Sequence, residues 1–170
     1  CPQFHLSLQS GSDAVLSRMR RKYDTARYLE SVQLLKTHFP GCAITTDLIC
    51  GFPGETEEEF AQTKEFVGKV GFAHVHIFPY SQRQGTPAAE YPDQVSKAEK
   101  QKRCRALTEE CNKVSEKVLH EFVGKTAEVL CEYINDEGLA EGYGKNYIRV
   151  CFEANSDVVN RICRVKITKV

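Results

Sequence analysis

The sequence predicts an α/β fold: a parallel sheet in the first part of the chain, followed by a small antiparallel β-barrel. Three observations predict it. Period-two strand patterns near residues 4–9, 43–50 and 73–78 are separated by helical stretches and read as successive βαβ units. The second of these strands ends in Gly51-Phe52-Pro53-Gly54, and a helix starts at once, with Thr56 and Glu59 spaced as a capping box. After Gly124 the pattern changes to short strands broken by turn residues at even spacing.

The elements follow in order. Phe4, Leu6 and Leu8 alternate with His5, Ser7 and Gln9, as in a strand with one buried face. Ser10-Gly11-Ser12-Asp13 turns into a helix carrying Val15, Leu16 and Met19. A second helix runs over about 26–38 with Leu29, Val32 and Leu35, and Pro40-Gly41 ends it. The strand 43–50 leads into the capped helix, where Phe60, Thr63, Val67 and Val70 recur at helical spacing. A loop over 80–93, rich in Gly, Pro, Gln and Ala, is long enough to suggest function. Ser96 and Glu99 give a second capping box, opening a long helix to about residue 122 whose face includes Leu107, Cys111, Val114, Val118 and Phe122. The tail then reads as strands over 126–133, 139–143, 147–152 and 162–170. The domain division is 1–94, a connecting helix 95–122, and a barrel 123–170 that could lack its last strand.

The 170 residues hold 23 basic and 23 acidic side chains, so no global field argues for nucleic acid; any such contact must be local. No apolar run approaches the ~20 residues of a membrane span. The eight cysteines show no CxxC spacing and fit buried thiols in a reducing cytoplasm. The chain starts at Cys1 with strand-like residues and reads as a fragment lacking an N-terminal part.

Several positions carry chemistry. The strand–glycine turn–helix junction at 51–56 lets backbone approach a ligand, with free N–H groups of the helix start facing it. Polar side chains share one face of three strands: His5, Ser7 and Gln9; Thr45 and Asp47; His74 and His76. Such a face needs a ligand, water or internal hydrogen bonds to satisfy it. A metal on His5, Asp47, His74 and His76 is possible by residue type, but no short ligand spacing supports it. Arg18, Arg20, Arg21 and Lys22 either follow the helix dipole or form an anion site. Near the end, Tyr143, Lys145, Tyr147 and Arg149 alternate along a hairpin, either as an ordinary solvated hairpin or as a surface for single-stranded RNA.

Three segments together resemble the radical SAM methylthiotransferases in order and spacing. They are His5-Leu6-Ser7-Leu8-Gln9-Ser10-Gly11-Ser12 with Arg18-Met19-Arg20-Arg21-Lys22-Tyr23; Thr46-Asp47-Leu48-Ile49-Cys50-Gly51-Phe52-Pro53-Gly54-Glu55-Thr56; and Phe78-Pro79-Tyr80-Ser81-Gln82-Arg83-Gln84-Gly85-Thr86-Pro87-Ala88-Ala89. The tail resembles the OB-like TRAM domain of that family. The resemblance implies the C-terminal part of a radical SAM β/α barrel. It is nearest the branch that adds a 2-methylthio group to N6-threonylcarbamoyladenosine beside the tRNA anticodon.

The resemblance also implies S-adenosylmethionine (SAM) and two [4Fe-4S] clusters as cofactors and tRNA as partner. The family's Cys-x-x-x-Cys-x-x-Cys does not occur here, so no metal ligand and no catalytic residue is expected in this chain, which alone would be inactive. The expected SAM contacts are Gln9, Ser10, Ser12, Asp47, Ile49, Gly51, Gly54 and Arg20. The expected RNA contacts are Arg83, Tyr143, Lys145, Tyr147 and Arg149. Three alternatives remain: the same chemistry on isopentenyladenosine tRNA or a ribosomal protein, a non-catalytic RNA-binding module, and a metal-dependent barrel hydrolase using the lumen histidines.

Overall fold

A computed structural model describes residues 1–170. Its first sheet is parallel, in the order β1 (Gln3–His5), β2 (Ala43–Cys50), β3 (His74–Pro79). Helices α1 (Asp13–Arg18) and α2 (Thr25–His38) connect β1 to β2, and α3 (Glu57–Val70) connects β2 to β3. α4 (Lys97–His120) then packs on α3 and on β2 and β3. No helix is long and apolar enough to cross a membrane.

β2 spans the residues its alternation predicts, but β1 is shorter than expected. The reason is Thr46, fully buried in the next strand. Its hydroxyl donates to Leu6 O at 2.6 Å and accepts the Leu8 N–H at 2.9 Å. A side chain thus replaces the backbone ladder, and regular pairing lapses until Gln9 bridges Leu48.

The core lies between this sheet and its helices. Leu8, Ile44, Leu48, Val67, Phe72 and Leu107 are almost wholly excluded from water. Each such side chain contributes ~2 kcal/mol of transfer free energy. Tyr28 joins them by donating to Leu6 O at 2.7 Å; burial pushes its phenol up to about 12.

α3 starts with the capping box its sequence encodes: Thr56 accepts from Glu59 N–H, and Glu59 accepts from Thr56 N–H. It ends at Gly71, whose φ of 69° is the left-handed cap. The box expected at α4 is only half made. Ser96 accepts from Glu99 N–H, but the Glu99 carboxylate turns to Arg103. α4 also stops short of Phe122.

Past Gly124, four strands form an antiparallel sheet in the order β6 (Arg149–Phe152), β5 (Ala140–Gly144), β4 (Thr126–Ile134), β7 (Ile162–Lys166). The expected barrel is not closed by strand pairing: β6 and β7 are both edges. The connection into β7 accounts for this. Asn160 N–H donates to Cys131 O and Cys131 N–H to Arg161 O, which commits that segment to β4 rather than β6. β4 carries a register shift between Cys131 and Tyr133, opposite Gly142. A Cβ at Gly142 would lie 1.9 Å from Leu130 O, so only glycine fits there.

Candidate functional site

The C-terminal ends of β1, β2 and β3 converge on the turn 51–54. Gly51 and Gly54 have φ of 72° and 73°, which glycine adopts without strain. Three segments hold the turn. The Gly54 N–H donates to Asp93 O at 2.9 Å, tying it to the 80–93 loop, and Phe52 packs edge-on against Tyr80 and Tyr91. Arg18, from the end of α1, donates to Gly54 O at 3.2 Å and makes a two-pronged ion pair with Glu59 at 2.9 and 2.6 Å. From α4, Arg103 donates to the Glu55 carboxylate at 2.8 Å, and that carboxylate accepts the Gly51 N–H at 2.7 Å.

The Glu55–Arg103 pair is almost wholly buried. Burial pushes the Glu55 carboxyl above its ordinary range, and the hydrogen bonds from Arg103 and Gly51 only partly offset that. For Arg103 burial opposes the charge, but the bonds to Glu55 and Glu57 outweigh it and raise its pKa. Glu59 shifts the other way: the bond from Arg18 holds it below the usual carboxylate range.

One expectation at this junction is corrected. The N-terminus of α3 is poorly suited to an anion, because its capping box takes up two N–H groups and its first turn is acidic. Thr56 takes the Glu59 N–H, and the first turn carries Glu57, Glu58 and Glu59. The junction presents glycine backbone and a cleft instead. That cleft, about 330 Å³, is lined by Ser17, Arg18, Arg20, Pro53, Gly54 and the segment 91–93.

The positions singled out from sequence fall into two groups. Gln9 is a non-glycine residue at φ 73°, a rare conformation concentrated at functional sites. Its N–H donates to Asp47 O and its O accepts from Ile49 N–H, both at 2.9 Å, so Gln9, Asp47 and Ile49 stand together at one strand end. The Gln9 carboxamide makes no hydrogen bond within the chain, and it suits a ribose or amino-acid group. Arg20 is also left-handed, at φ 57°, and reaches the cleft beside Gly54.

The serines face elsewhere. Ser10 is fully buried, with its hydroxyl 3.3 Å from Thr63, and Ser12 donates to Gln62 at 2.7 Å. Gly11 explains this packing. Its N–H donates to Thr63, and a Cβ there would meet Thr63 Cα and Phe66 Cβ at 2.8 Å. Both serine side chains therefore anchor the loop on α3.

Sequence reasoning missed Arg103. The available signal was its place four residues before Leu107 on the apolar stripe Leu107, Cys111, Val114, where a buried cation demands partners.

Strand register assembles the polar face. His5 pairs with Thr45, Thr45 with His74, and Asp47 with His76. His5 Nδ1 contacts Thr45 Oγ1 at 3.1 Å, and His5 Nε2 contacts Asp47 Oδ2 at 3.2 Å and Ser7 Oγ at 3.4 Å. His74 and His76 stack edge to face at 4.6 Å, and burial followed by the nearby His76 lowers the pKa of His74. At the C-terminal end of this face Ile49 pairs with Phe78, which is half exposed.

In the second sheet, Tyr143 and Tyr147 are exposed with rings 6.0 Å apart. The two cations of this hairpin have acidic neighbours: Lys145 pairs with Glu128, and Arg149 lies 3.3 Å from Glu141. Leu130, Tyr143 and Arg149 are cross-strand partners in one row, which Ile162 extends on β7. Arg83 is exposed in the 80–93 loop, where its carbonyl accepts from Thr86.

The eight cysteines are free, and no group of three His, Cys, Asp or Glu side chains is arranged to hold a metal ion. They do not fit the ligand set of an iron–sulfur cluster.

Comparison with known proteins agrees with the fold and the motifs. Residues 1–67 match the model of the Radical SAM superfamily. The chain is 39% identical over 169 residues to the threonylcarbamoyladenosine tRNA methylthiotransferase MtaB of Bacillus subtilis, covering 97% of this chain and 38% of that protein. It is 42% identical over 155 residues to the protein of the same name from Thermotoga maritima, covering 91% and 36%. It is 41% identical over 171 residues to a tRNA-2-methylthio-N(6)-dimethylallyladenosine synthase of Clostridium botulinum, covering 99% and 38%. The chain thus spans well under half the length of the relatives it matches. Among solved structures, coproporphyrinogen III oxidase (HemN) from Escherichia coli, a radical SAM enzyme, superposes with a TM-score of 0.53 at 21% identity, over 64% of this chain and 27% of that one, a likeness of fold. Residues 1–67 thus match the Radical SAM superfamily, and nearly the whole chain is similar to part of the tRNA methylthiotransferases.

Proposed function

We propose that this chain is the cofactor-orienting and RNA-binding part of a longer methylthiotransferase. Its substrate would be tRNA bearing N6-threonylcarbamoyladenosine, and its product the 2-methylthio derivative. The observation that carries the reading is Gln9: a left-handed, non-glycine residue at a strand end, bridged to Asp47 and Ile49 beside a clamped glycine turn.

SAM, held against these residues, would supply the radical chemistry of the superfamily. The residues here bind and orient. The Gln9 carboxamide and the Asp47 carboxylate offer a donor and acceptors for ribose hydroxyls. Ile49 and the backbone of Gly51 and Gly54 give a flat wall for a purine. Arg20 offers a cation for a carboxylate. Ser10 and Ser12 serve the site through the loop they anchor on α3. Arg83 and the hairpin residues Tyr143, Lys145, Tyr147 and Arg149 approach RNA, the tyrosines by stacking. Because Glu128 and Glu141 already neutralise Lys145 and Arg149, stacking would outweigh charge in that contact.

Similar identity to relatives named for dimethylallyladenosine favours a second reading, the same chemistry on that nucleoside. The test of SAM orientation is calorimetric titration of SAM into the complete polypeptide with its clusters. Gln9→Ala is expected to weaken binding about tenfold, as loss of hydrogen bonds to a bound ligand does. Unchanged binding would remove Gln9 from the site.

A further inference from the structure

We propose that His76, with His74 beside it and the His5–Asp47 pair opposite, reads the polar arm of the modified adenosine and so selects threonylcarbamoyl over dimethylallyl. This rests on the proposed function and deepens it.

The carrying observation is a division of labour along one sheet face. Its C-terminal end is apolar, with Ile49 paired to Phe78. One strand repeat back, about 7 Å at the usual rise of a β-strand, the same face holds Asp47 paired to His76, then Thr45 paired to His74. A substrate purine stacked on the exposed Phe78 ring, beside the Ile49 wall given to SAM, would direct a substituent of several atoms onto those histidines.

The hydrogen-bond state of this patch distinguishes its members. Both ring nitrogens of His5 are occupied, one by Thr45 and the other by Asp47 and Ser7. Gln3 also spends its amide on Thr45. His74 and His76 instead touch each other through their rings at 4.6 Å, and His76 lies 6.2 Å from His5, ring to ring. Their nitrogens make no hydrogen bonds within the chain, and both residues are exposed.

Open imidazole donors beside a carboxylate that His5 already engages suit a ligand group with both acceptors and donors. A threonylcarbamoyl arm has a carboxylate, a hydroxyl and ureido N–H groups. The imidazole N–H groups can donate to its carboxylate and hydroxyl, while the unprotonated ring nitrogens of His74 and His76 can accept from its N–H groups. A dimethylallyl arm has no such groups. Placed here it would strip water from the two open imidazoles, His74 and His76, without replacing those hydrogen bonds, which is how a polar site rejects an apolar analogue.

The experiment compares anticodon stem-loop RNAs bearing threonylcarbamoyladenosine, dimethylallyladenosine or plain adenosine. Their affinities for the complete polypeptide are measured by fluorescence anisotropy without SAM. The wild-type protein is expected to favour the threonylcarbamoyl RNA, and His76→Phe to lower that preference over plain adenosine about tenfold or more. His76→Gln, which keeps a donor, should retain part of it, and thermal melts establish that the variants fold. If His76→Phe does not fold, the comparison of His76→Gln with His74→Phe carries the test, and the preference must fall in at least one. A folded set of variants with undiminished preference overturns the role of His76 alone. Wild-type preference for dimethylallyladenosine overturns the substrate reading itself, and this inference with it.

Discussion

Glu55 and Arg103, 48 residues apart in sequence, form an ion pair almost wholly excluded from water, with Nη1 2.8 Å from Oε2. The same carboxylate accepts the Gly51 N–H, so a residue on α4 sets the conformation of the turn after β2. Removing one partner of such a pair leaves the other buried and uncompensated, at a cost of about 3 kcal/mol or more. Arg103→Met is therefore expected to lower the urea midpoint of this chain sharply. The double variant Arg103→Met with Glu55→Gln should recover part of the loss, because the remaining group is then neutral. A double-mutant cycle with no coupling would contradict this clamp.

Gly142 makes a second prediction. Any side chain there drives a Cβ into the Leu130 carbonyl, and backbone cannot move aside as a flexible side chain can. Gly142→Ala should destabilise the second sheet by about 3 kcal/mol. Hydrogen exchange should report the loss in β4 and β5 while β2 stays protected.

Gly11 plays the same part between the loop after β1 and α3, with contacts of 2.8 Å to Thr63 Cα and Phe66 Cβ. Gly11→Ala should push the loop from α3 and break the bonds from Gly11 N–H and Ser10 to Thr63. In the complete polypeptide it should weaken SAM binding more than Ser10→Ala or Ser12→Ala, if the serines act through the loop. Equal effects in calorimetry would contradict that order.

Acid should reveal the Arg18–Glu59 pair. The folded pKa of Glu59 lies below its ordinary value, chiefly through the bond from Arg18. Its stabilisation is therefore complete above the unfolded value of about 4.3 and is lost as pH falls through the folded one. Glu55 has the opposite sign. Its folded pKa is raised, so its contribution is largest in acid and declines as pH rises through that value. Melting temperatures across pH 3 to 7, about the range of carboxylate titration, should fall less steeply in acid for Glu59→Gln than for the wild type. For Glu55→Gln they should fall more steeply.

The fold was legible wherever local chemistry decides it. β2 occupies the strand-like run 43–50, and Thr56 with Glu59 can cap only the helix that follows them. The length of β1 was not legible, because a Thr46 hydroxyl supplants backbone pairing only once two strands have met. Turn residues announce the hairpins of the second sheet, but whether its edges close depends on where Asn160 and Arg161 dock. At the site, the grouping of polar strand ends beside the glycine turn was readable. The orientation of Ser10 and Ser12 was not, since it depends on how closely α3 approaches Gly11. Arg103 escaped because a cation on an apolar stripe shows its purpose only beside its partners.

The central claim is that this chain serves 2-methylthiolation of threonylcarbamoyladenosine in tRNA. The most direct measurement is mass spectrometry of tRNA nucleosides from cells with and without the intact gene. Loss of 2-methylthio-N6-threonylcarbamoyladenosine, with its unthiolated precursor accumulating and the dimethylallyl derivative unchanged, is the predicted result. Retention of that nucleoside, or loss of the dimethylallyl derivative instead, would contradict the account.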